Sequence, residues 1–285
     1  LRIMRGVTFS MIDTVIQKSL EAATEKPGDY YESGLLFCGV CHTAKQARIS
    51  IPGSGEKIVG IACSCTEAQK AEADKALADN TFALKISSMR REDGITDLSY
   101  GEILFADDDG ANRKISDLCH RYVDRWPAMA EDNIGILFYG PVGTGKTHFA
   151  CAIANELLKQ HVPTAITSFP RLLNLLQNAK DRQRLLDRLG AYKLLVIDDL
   201  GVERDTAYAA EQIFSVIDAR GRSKLPTIIT TNLTPQEMDD PPSMQYRRIF
   251  DRVKEMCPAV VLVDGESRRV QNAQRRKELA RRLLL

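Results

Sequence analysis

The chain has 285 residues, 44% of them hydrophobic and 27% charged, with a net charge of +1. This is material for one large domain plus a smaller one and excludes global disorder. The near-neutral balance also excludes a bulk field that would draw the whole molecule to nucleic acid.

No apolar run approaches the ~20 residues that a membrane-spanning helix requires, so no membrane association is expected. The N-terminus, LRIMRGVTFSMIDTVIQ, lacks both the continuous apolar core and the small-residue cleavage site of a secretory signal, and a cytoplasmic location is expected. It opens on Leu1, with Met4 and Met11 as alternative starts. Residues 1–30 hold a short helical pattern, with Ile12, Val15, Ile16 and Leu20 on one side and Pro27-Gly28 ending it. The stripe is too short to bury itself and needs either the rest of the protein or, by slight preference, a partner.

Residues 31–90 form a cysteine module with a helical linker. Of seven cysteines, four fall in two close pairs, Cys38-x-x-Cys41 and Cys63-x-Cys65, divided by a polar stretch and a β-prone run. In a reducing compartment that spacing favours a closed, structural tetrahedral zinc site over disulfides. A redox pair or plain thiols are the other uses of such cysteines, and His42 is a substitute ligand that reads better as a surface histidine. Cys119, Cys151 and Cys257 sit on apolar faces and read as core residues. From Glu67 to Lys85 the chain is charged and alanine-rich, and polar turn signals run on to Asp109.

Residues 91–285 alternate strand and helix. A helix over Ile115–Trp126 leads to an apolar strand, Ile134–Tyr139, and a helical run, His148–His161. Between these two lies the phosphate-binding pattern Gly140, Pro141, Val142, Gly143, Thr144, Gly145, Lys146, Thr147. Loop N–H groups would face a phosphate at the helix N-terminus, Lys146 would reach the β- and γ-phosphates, and Thr147 would hold Mg²⁺. This chain is expected to bind ATP.

Next come a strand at Pro163–Thr167, a helix at Phe169–Gln177 and the apolar run Lys193–Gly201, which is closed by Asp198 and Asp199. An acid pair at the C-terminal end of a buried parallel strand faces the ligand crevice; Asp198 suits Mg²⁺ through water, and Asp199 the attacking water. A helix over Ala207–Arg220, a strand over Leu225–Asn232, a helix holding Arg247–Met256 and a strand over Val260–Val263 complete the alternation, which implies a parallel sheet wrapped by helices. Asn232 is placed to orient water near a γ-phosphate, or is simply a strand-end turn residue. The tail from Arg268 to Arg282 carries seven basic residues and one acid, and reads equally as a DNA-backbone stripe or as a solvated helix face.

The set GPVGTGKT, LLVIDDLGVERDT, PTIITTN and RRIFDRVKEMC resembles the AAA+ ATPases of the DnaC/IstB type. It is most similar to the DnaC-like replication proteins of phages and mobile elements that carry an N-terminal cysteine module. The likeness covers residues 100–285, and 31–90 in outline. It implies an α/β fold, with an AAA+ P-loop NTPase domain following a small zinc-ribbon-like module. Lys146 and Thr147 would be the Walker A pair, Asp198 and Asp199 the Walker B pair, and Asn232 sensor 1. Arg252 would be the arginine finger, with Arg247 and Arg248 as rivals, and Arg269 would be sensor 2, with Arg268 beside it. AAA+ proteins at large carry Asp-Glu at Walker B, and this branch carries the Asp-Asp found here. A finger acts on a neighbour's γ-phosphate, so a homo-oligomeric arc or ring follows.

The function implied is a helicase loader, a slow ATPase that delivers a replicative helicase to single-stranded DNA and grips it through residues 1–90. The alternatives are an IstB-like transposition helper that binds target DNA and an ATP-gated adaptor that does not hydrolyse.

Overall fold

The computed structural model describes residues 9–52, 55–201, 207–241 and 243–284. The alternative start at Met4, Thr8 at the head of the predicted first helix, and the VERDT portion of the Walker B motif lie outside the described residues.

The chain divides into two compact units, Leu1–Phe82 and Ala83–Leu285. In the first, α1 (Phe9–Ala22) precedes a hairpin of β1 (Tyr30–Glu32) and β2 (Leu35–Phe37). A second antiparallel hairpin pairs β3 (Gln46–Ile51) with β4 (Gly55–Gly60), from Gln46↔Gly60 to Ile51↔Gly55. Part of the apolar stripe of α1 is met inside this unit, while Val15 stays exposed. The helix packs on β4, where the Ser19 hydroxyl accepts the Gly60 N–H at 3.1 Å. Ile16 and Leu20 are half-buried there and Ala23 is buried.

Helix α2 (Ser64–Asp93) is one continuous helix in which Ile86 is the buried residue. Past it, two 3-10 turns (Leu98–Tyr100 and Phe105–Asp107) lead to α3 (Arg113–Asp124) and α4 (Trp126–Glu131). The helix expected over 115–126 therefore ends at Asp124. Pro127, which cannot continue a helix but fits its first turn, lies at the start of the next one.

The remaining order is β5 (Ile136–Tyr139), α5 (Lys146–Lys159), β6 (Thr164–Ser168), α6 (Phe169–Asn178), α7 (Arg182–Leu189), β7 (Leu194–Leu200) and α8 (Ala207–Arg222). After these come β8 (Thr227–Thr231), α9 (Pro235–Asp239), α10 (Met244–Met256), β9 (Ala259–Leu262) and α11 (Arg268–Leu284). The five strands β5–β9 form an all-parallel sheet of order β6-β7-β8-β5-β9. β5 to β8 are buried along nearly their whole length because both faces are covered, while the edge strand β9 leaves Val260 and Leu262 exposed. On one face Phe169, Leu172, Ile213, Ile217, Ile249 and Val253 pack from α6, α8 and α10. On the other, Cys119, Val123, Phe149 and Ile153 pack from α3 and α5. The chain leaves β5, crosses to the edge strand β6 and returns through β7 and β8 to pair with β5 again. The C-terminal ends of β5, β7 and β8 thus meet at the point where strand order reverses, where open α/β sheets bind ligands.

At the opposite end of the sheet sits a fully buried cation. Arg220 of α8 donates to the carbonyls of Leu189, Tyr192, Lys193 and Pro226 and to the Thr227 hydroxyl, at 2.7–3.2 Å. These acceptors lie just before β7 and β8 or, for Thr227, at the first residue of β8, so one side chain fixes the entry of both central strands.

Candidate functional site

β5 delivers the chain to Gly140, and α5 starts at Lys146. Between them Gly140, Gly143 and Gly145 all hold φ in the left-handed half of the map, from +85° to +138°. At Gly145 (φ +105°) a Cβ would lie 1.8 Å from the Arg268 guanidinium, so only glycine fits. Gly145 also has no side chain to cap α5, which leaves first-turn N–H groups free for a phosphate. Lys146 is buried and its ammonium donates to the carbonyls of Gly140 (2.8 Å) and Pro141 (2.7 Å). Burial lowers its pKa, against the pull of Asp199 and Asp198.

The Walker B acids stand at an irregularity. The β7–β8 register shifts between Ile197 and Leu200, and Asp199 holds φ +60°. Such a bulge re-aims side chains at a strand end. Asp198 is nearly sealed, at 3% exposure. Its Oδ1 accepts from Thr147 Oγ1 at 2.8 Å and Thr230 Oγ1 at 2.5 Å, and its Oδ2 accepts from the Tyr100 hydroxyl at 3.3 Å. The Thr147–Asp198 pair is the oxygen set Mg²⁺ uses in phosphate-loop proteins, a hydroxyl ligand braced by a carboxylate, and these residues fit the ion. Bound there, Mg²⁺ would offset phosphate charge. Burial and the neighbouring Asp198 raise the Asp199 carboxyl pKa, while Arg269 and Lys146 oppose the rise.

Two residues here have no local sequence signal. Thr230, fully buried on β8, donates to Asp198 and accepts the Asp199 N–H at 3.0 Å, so it holds both acids at once. Tyr100 is aimed by Asn155 of α5, whose amide donates to the carbonyls of Tyr100 and Ile103 at 2.8 Å each. Outer partners of a metal-binding carboxylate commonly set metal affinity by 10–100-fold. Thr230→Val, which keeps the shape and deletes both hydrogen bonds, is therefore expected to weaken Mg²⁺-dependent ATP binding by about tenfold. Tyr100→Phe loses one longer hydrogen bond and should cost less. An Mg²⁺ titration of ATP binding reads both, and an unchanged midpoint in Thr230→Val would refute the clamp.

The arginines separate clearly. Arg268 makes a two-pronged contact with Asp109 (2.8 and 2.6 Å), donates to the Thr144 carbonyl at 3.0 Å and lies over the Phe149 ring. It braces the phosphate loop and holds the Asp109 carboxyl down to about 2. That folded value lies below the unfolded one, so the brace is complete above the ordinary carboxylate range and fades as pH falls toward 2. Arg269 is exposed and acts electrostatically on Lys146 and Asp199. Asn232 is exposed just past β8. Arg247, Arg248 and Arg252 are all exposed on α10. Arg252 contacts Glu255 at 2.8 Å and Asp218 at 3.7 Å.

In the first unit, Cys38, Cys41, Cys63 and Cys65 bring their sulfurs within 4.8 Å of one another. Tetrahedral Zn–S bonds of about 2.3 Å put sulfurs about 3.8 Å apart, inside that limit, so the set fits zinc. Four sulfurs this close cannot all be thiolates without a cation among them. The Thr43 hydroxyl and amide draw Cys41 down to about 5, while Cys65, facing the other sulfurs, is pushed up to about 12. His42 is exposed beside the Tyr30 ring and is not among the clustered groups. The Cys38–Cys41 turn passes close to the preceding loop, since a Cβ on Gly39 would lie 1.9 Å from the Gly28 carbonyl. Asp29 braces the turn, accepting the Gly39 N–H at 3.0 Å and the Lys45 ammonium at 2.6 Å. Cys119, Cys151 and Cys257 are fully buried, as expected of core residues.

Residues 74–276 match the IstB-like ATP binding protein family, well over half of the chain. The chain belongs to that family. It is an ATP-binding AAA+ protein of the DnaC/IstB type, with the α/β fold expected. Among curated relatives it is 29% identical over 148 residues to the replicative helicase loader DnaI of Bacillus subtilis (47% of each chain). It is 32% identical over 123 residues to the replicative helicase loader DnaC of Escherichia coli K12 (41% of this chain, 49% of that protein). An insertion sequence IS232 putative ATP-binding protein from Bacillus thuringiensis is 35% identical over 148 residues (50% and 58%). The chain spans about half the length of the curated loaders it matches. A crystal structure of DnaI superposes with a TM-score of 0.50 at 25% identity, covering 63% of this chain and 99% of that one. A putative primosome component from Streptococcus pyogenes gives 0.50 at 26%, covering 60% and 91%. Among the described residues of this IstB-like protein, no helix is long and apolar enough to cross a membrane.

Proposed function

We propose that this protein is a replicative helicase loader, an ATP-dependent, oligomerising switch that delivers a helicase to single-stranded DNA. The observation that carries the reading is the pairing, in one chain, of an ATP-binding unit similar to DnaI with a four-cysteine N-terminal cluster. In this reading the phosphate loop from Gly140 to Thr147 binds ATP, and Thr147 with Asp198 holds Mg²⁺. Asp199 and Asn232 orient the attacking water, and Arg269 touches the γ-phosphate as sensor 2 while Arg268 braces the loop. Arg252 reaches a neighbouring subunit's nucleotide in an arc or ring, and its exposure on α10 supports that role over a core one. Hydrolysis is slow and is stimulated by partner or DNA. Residues 1–90, a zinc-holding module with its helices, grip the helicase, and residues 91–285 form the ATPase. The protein works in the cytoplasm.

The relative associated with an insertion sequence supports a second reading, a transposition helper that binds target DNA. One experiment separates the two. With ATP present, the tagged protein is expected to co-purify with its host's replicative helicase, while a chain beginning at Ala83 is not. Retention of duplex DNA with no helicase in either case would sink the loader reading in favour of the helper. Mixing Arg252→Ala with Lys146→Ala subunits should restore hydrolysis that neither performs alone; failure would pass the finger role to Arg247 or Arg248.

A further inference from the structure

Helix α11 begins on the nucleotide site and then leaves it. Its first residue is tied to the phosphate loop, the Arg268 N–H donating to the Gly143 carbonyl at 2.9 Å and its guanidinium to Thr144 and Asp109. From Ala273 to Leu284 every residue is exposed. Residues 275–282 hold Arg275, Arg276, Lys277, Arg281 and Arg282 against a single acid, Glu278. The whole chain carries only +1, so the rest of it is net negative and the positive field is concentrated on this helix.

The arrangement of these charges selects the occupant. At about 100° per residue Arg275, Lys277, Arg281 and Arg282 share an arc of about 160°, and Arg276 lies on the opposite side. Arg276 falls inside the arc that Leu279, Ala280, Leu283 and Leu284 would form, so no clean apolar face remains to lie in a membrane or against a partner helix. Four of the five are arginines, whose planar fork matches phosphate oxygens. A broad cationic arc on an exposed helix, with a fifth cation opposite it, fits a flexible polyphosphate that can bend round it.

We infer that α11 is the nucleic-acid-binding element of this protein, engaging the phosphate backbone of single-stranded DNA through Arg275, Arg276, Lys277, Arg281 and Arg282. This rests on the loader reading, which supplies single-stranded DNA as the substrate. Binding is sequence-independent and salt-sensitive, because each neutralised phosphate releases counterion at about 0.7 per contact on single strands.

The test compares the full-length protein with a variant carrying Arg275→Gln, Arg276→Gln, Lys277→Gln, Arg281→Gln and Arg282→Gln. Glutamine preserves helix propensity, and none of these side chains touches the nucleotide site. Affinity for a dT oligonucleotide is measured against salt, alongside ATP binding and helicase capture. The log–log salt slope is expected to become shallower by about 3, so the wild type's advantage shrinks roughly 100-fold between about 50 and 200 mM salt. ATP binding and helicase capture should be unchanged. An unchanged slope in a variant that still captures helicase overturns the inference and leaves the loader reading standing. Loss of helicase capture by the wild type itself would instead count against the loader reading. Tighter binding of the wild type to phosphatidylserine vesicles than to the oligonucleotide, abolished in the variant, would also overturn the inference and assign the helix to membrane.

Discussion

Replacing Arg220 with methionine is expected to destabilise the nucleotide-binding unit by about 3–5 kcal/mol, the cost of removing one partner from a buried charged network. Methionine fills similar volume, and exchanging a buried ion pair for apolar residues is often neutral because both charged partners leave together. Here they cannot. The acceptors are four backbone carbonyls and the Thr227 hydroxyl, and the carbonyls remain whatever replaces the side chain. Each acceptor stranded without a donor costs on the order of 1–3 kcal/mol. Lysine should rescue only part of the loss, since three donors on one nitrogen cannot span the positions a planar five-donor fork reaches. Burial draws the guanidinium down to about 9, which leaves it charged at neutral pH. Denaturant unfolding of the full chain, followed through ATP binding, measures the effect, and a methionine variant within about 1 kcal/mol of wild type would show that the carbonyls find water or other donors.

The parts of this molecule that were legible in its sequence are those whose chemistry fixes residue type at fixed spacing. A phosphate cradle needs glycines where the backbone must turn left-handed and a lysine one residue later. A closed metal site needs its sulfurs in short-range pairs. A strand covered on both faces must be an apolar run, and β5, β7 and β8 fall within the predicted runs. What escaped prediction depends on residues far apart in the chain. Tyr100 meets Asp198 across 98 positions and Thr230 meets it across 32, and neither neighbourhood differs from an ordinary turn or strand. Arg220 reads as one more cation on a charged helix, and only the docking of α8 against the ends of β7 and β8 buries it. Helix α7 carries no clear apolar period in the sequence because it buries only Leu185 and Leu189, with Leu186 partly covered, among five polar residues. In the pair Arg268-Arg269 the sequence could not choose, because the choice depends on Asp109, which comes from a distant turn and claims Arg268.

Removal of zinc is expected to unfold the first unit while leaving ATP binding intact. The core of that unit is small: among its described residues the buried apolar groups are Ala23, Leu36, Cys38 and Cys63, and two of these four are proposed ligands. Two short hairpins, α1 and the first part of α2 cannot offset their ordering entropy with so little apolar burial, and small domains of this kind rely on a metal. Structural zinc sites supply that stability directly, with apparent binding energies of order 10 kcal/mol in comparable peptides. The larger unit has its own two-sided core and should not respond. Treatment with a chelator, or Cys38→Ser with Cys63→Ser, should therefore abolish protection of residues 9–60 in hydrogen exchange, leave the sheet strands β5–β9 protected, and eliminate helicase capture without changing ATP affinity. Asp29→Asn, which keeps the size but surrenders the charge that anchors Lys45 and the Cys38–Cys41 turn, should lose metal at lower chelator concentration than wild type. Undiminished protection of residues 9–60 after complete removal of metal would mean the four sulfurs stabilise the fold as thiols. The zinc assignment would then fail, while the nucleotide site would stand.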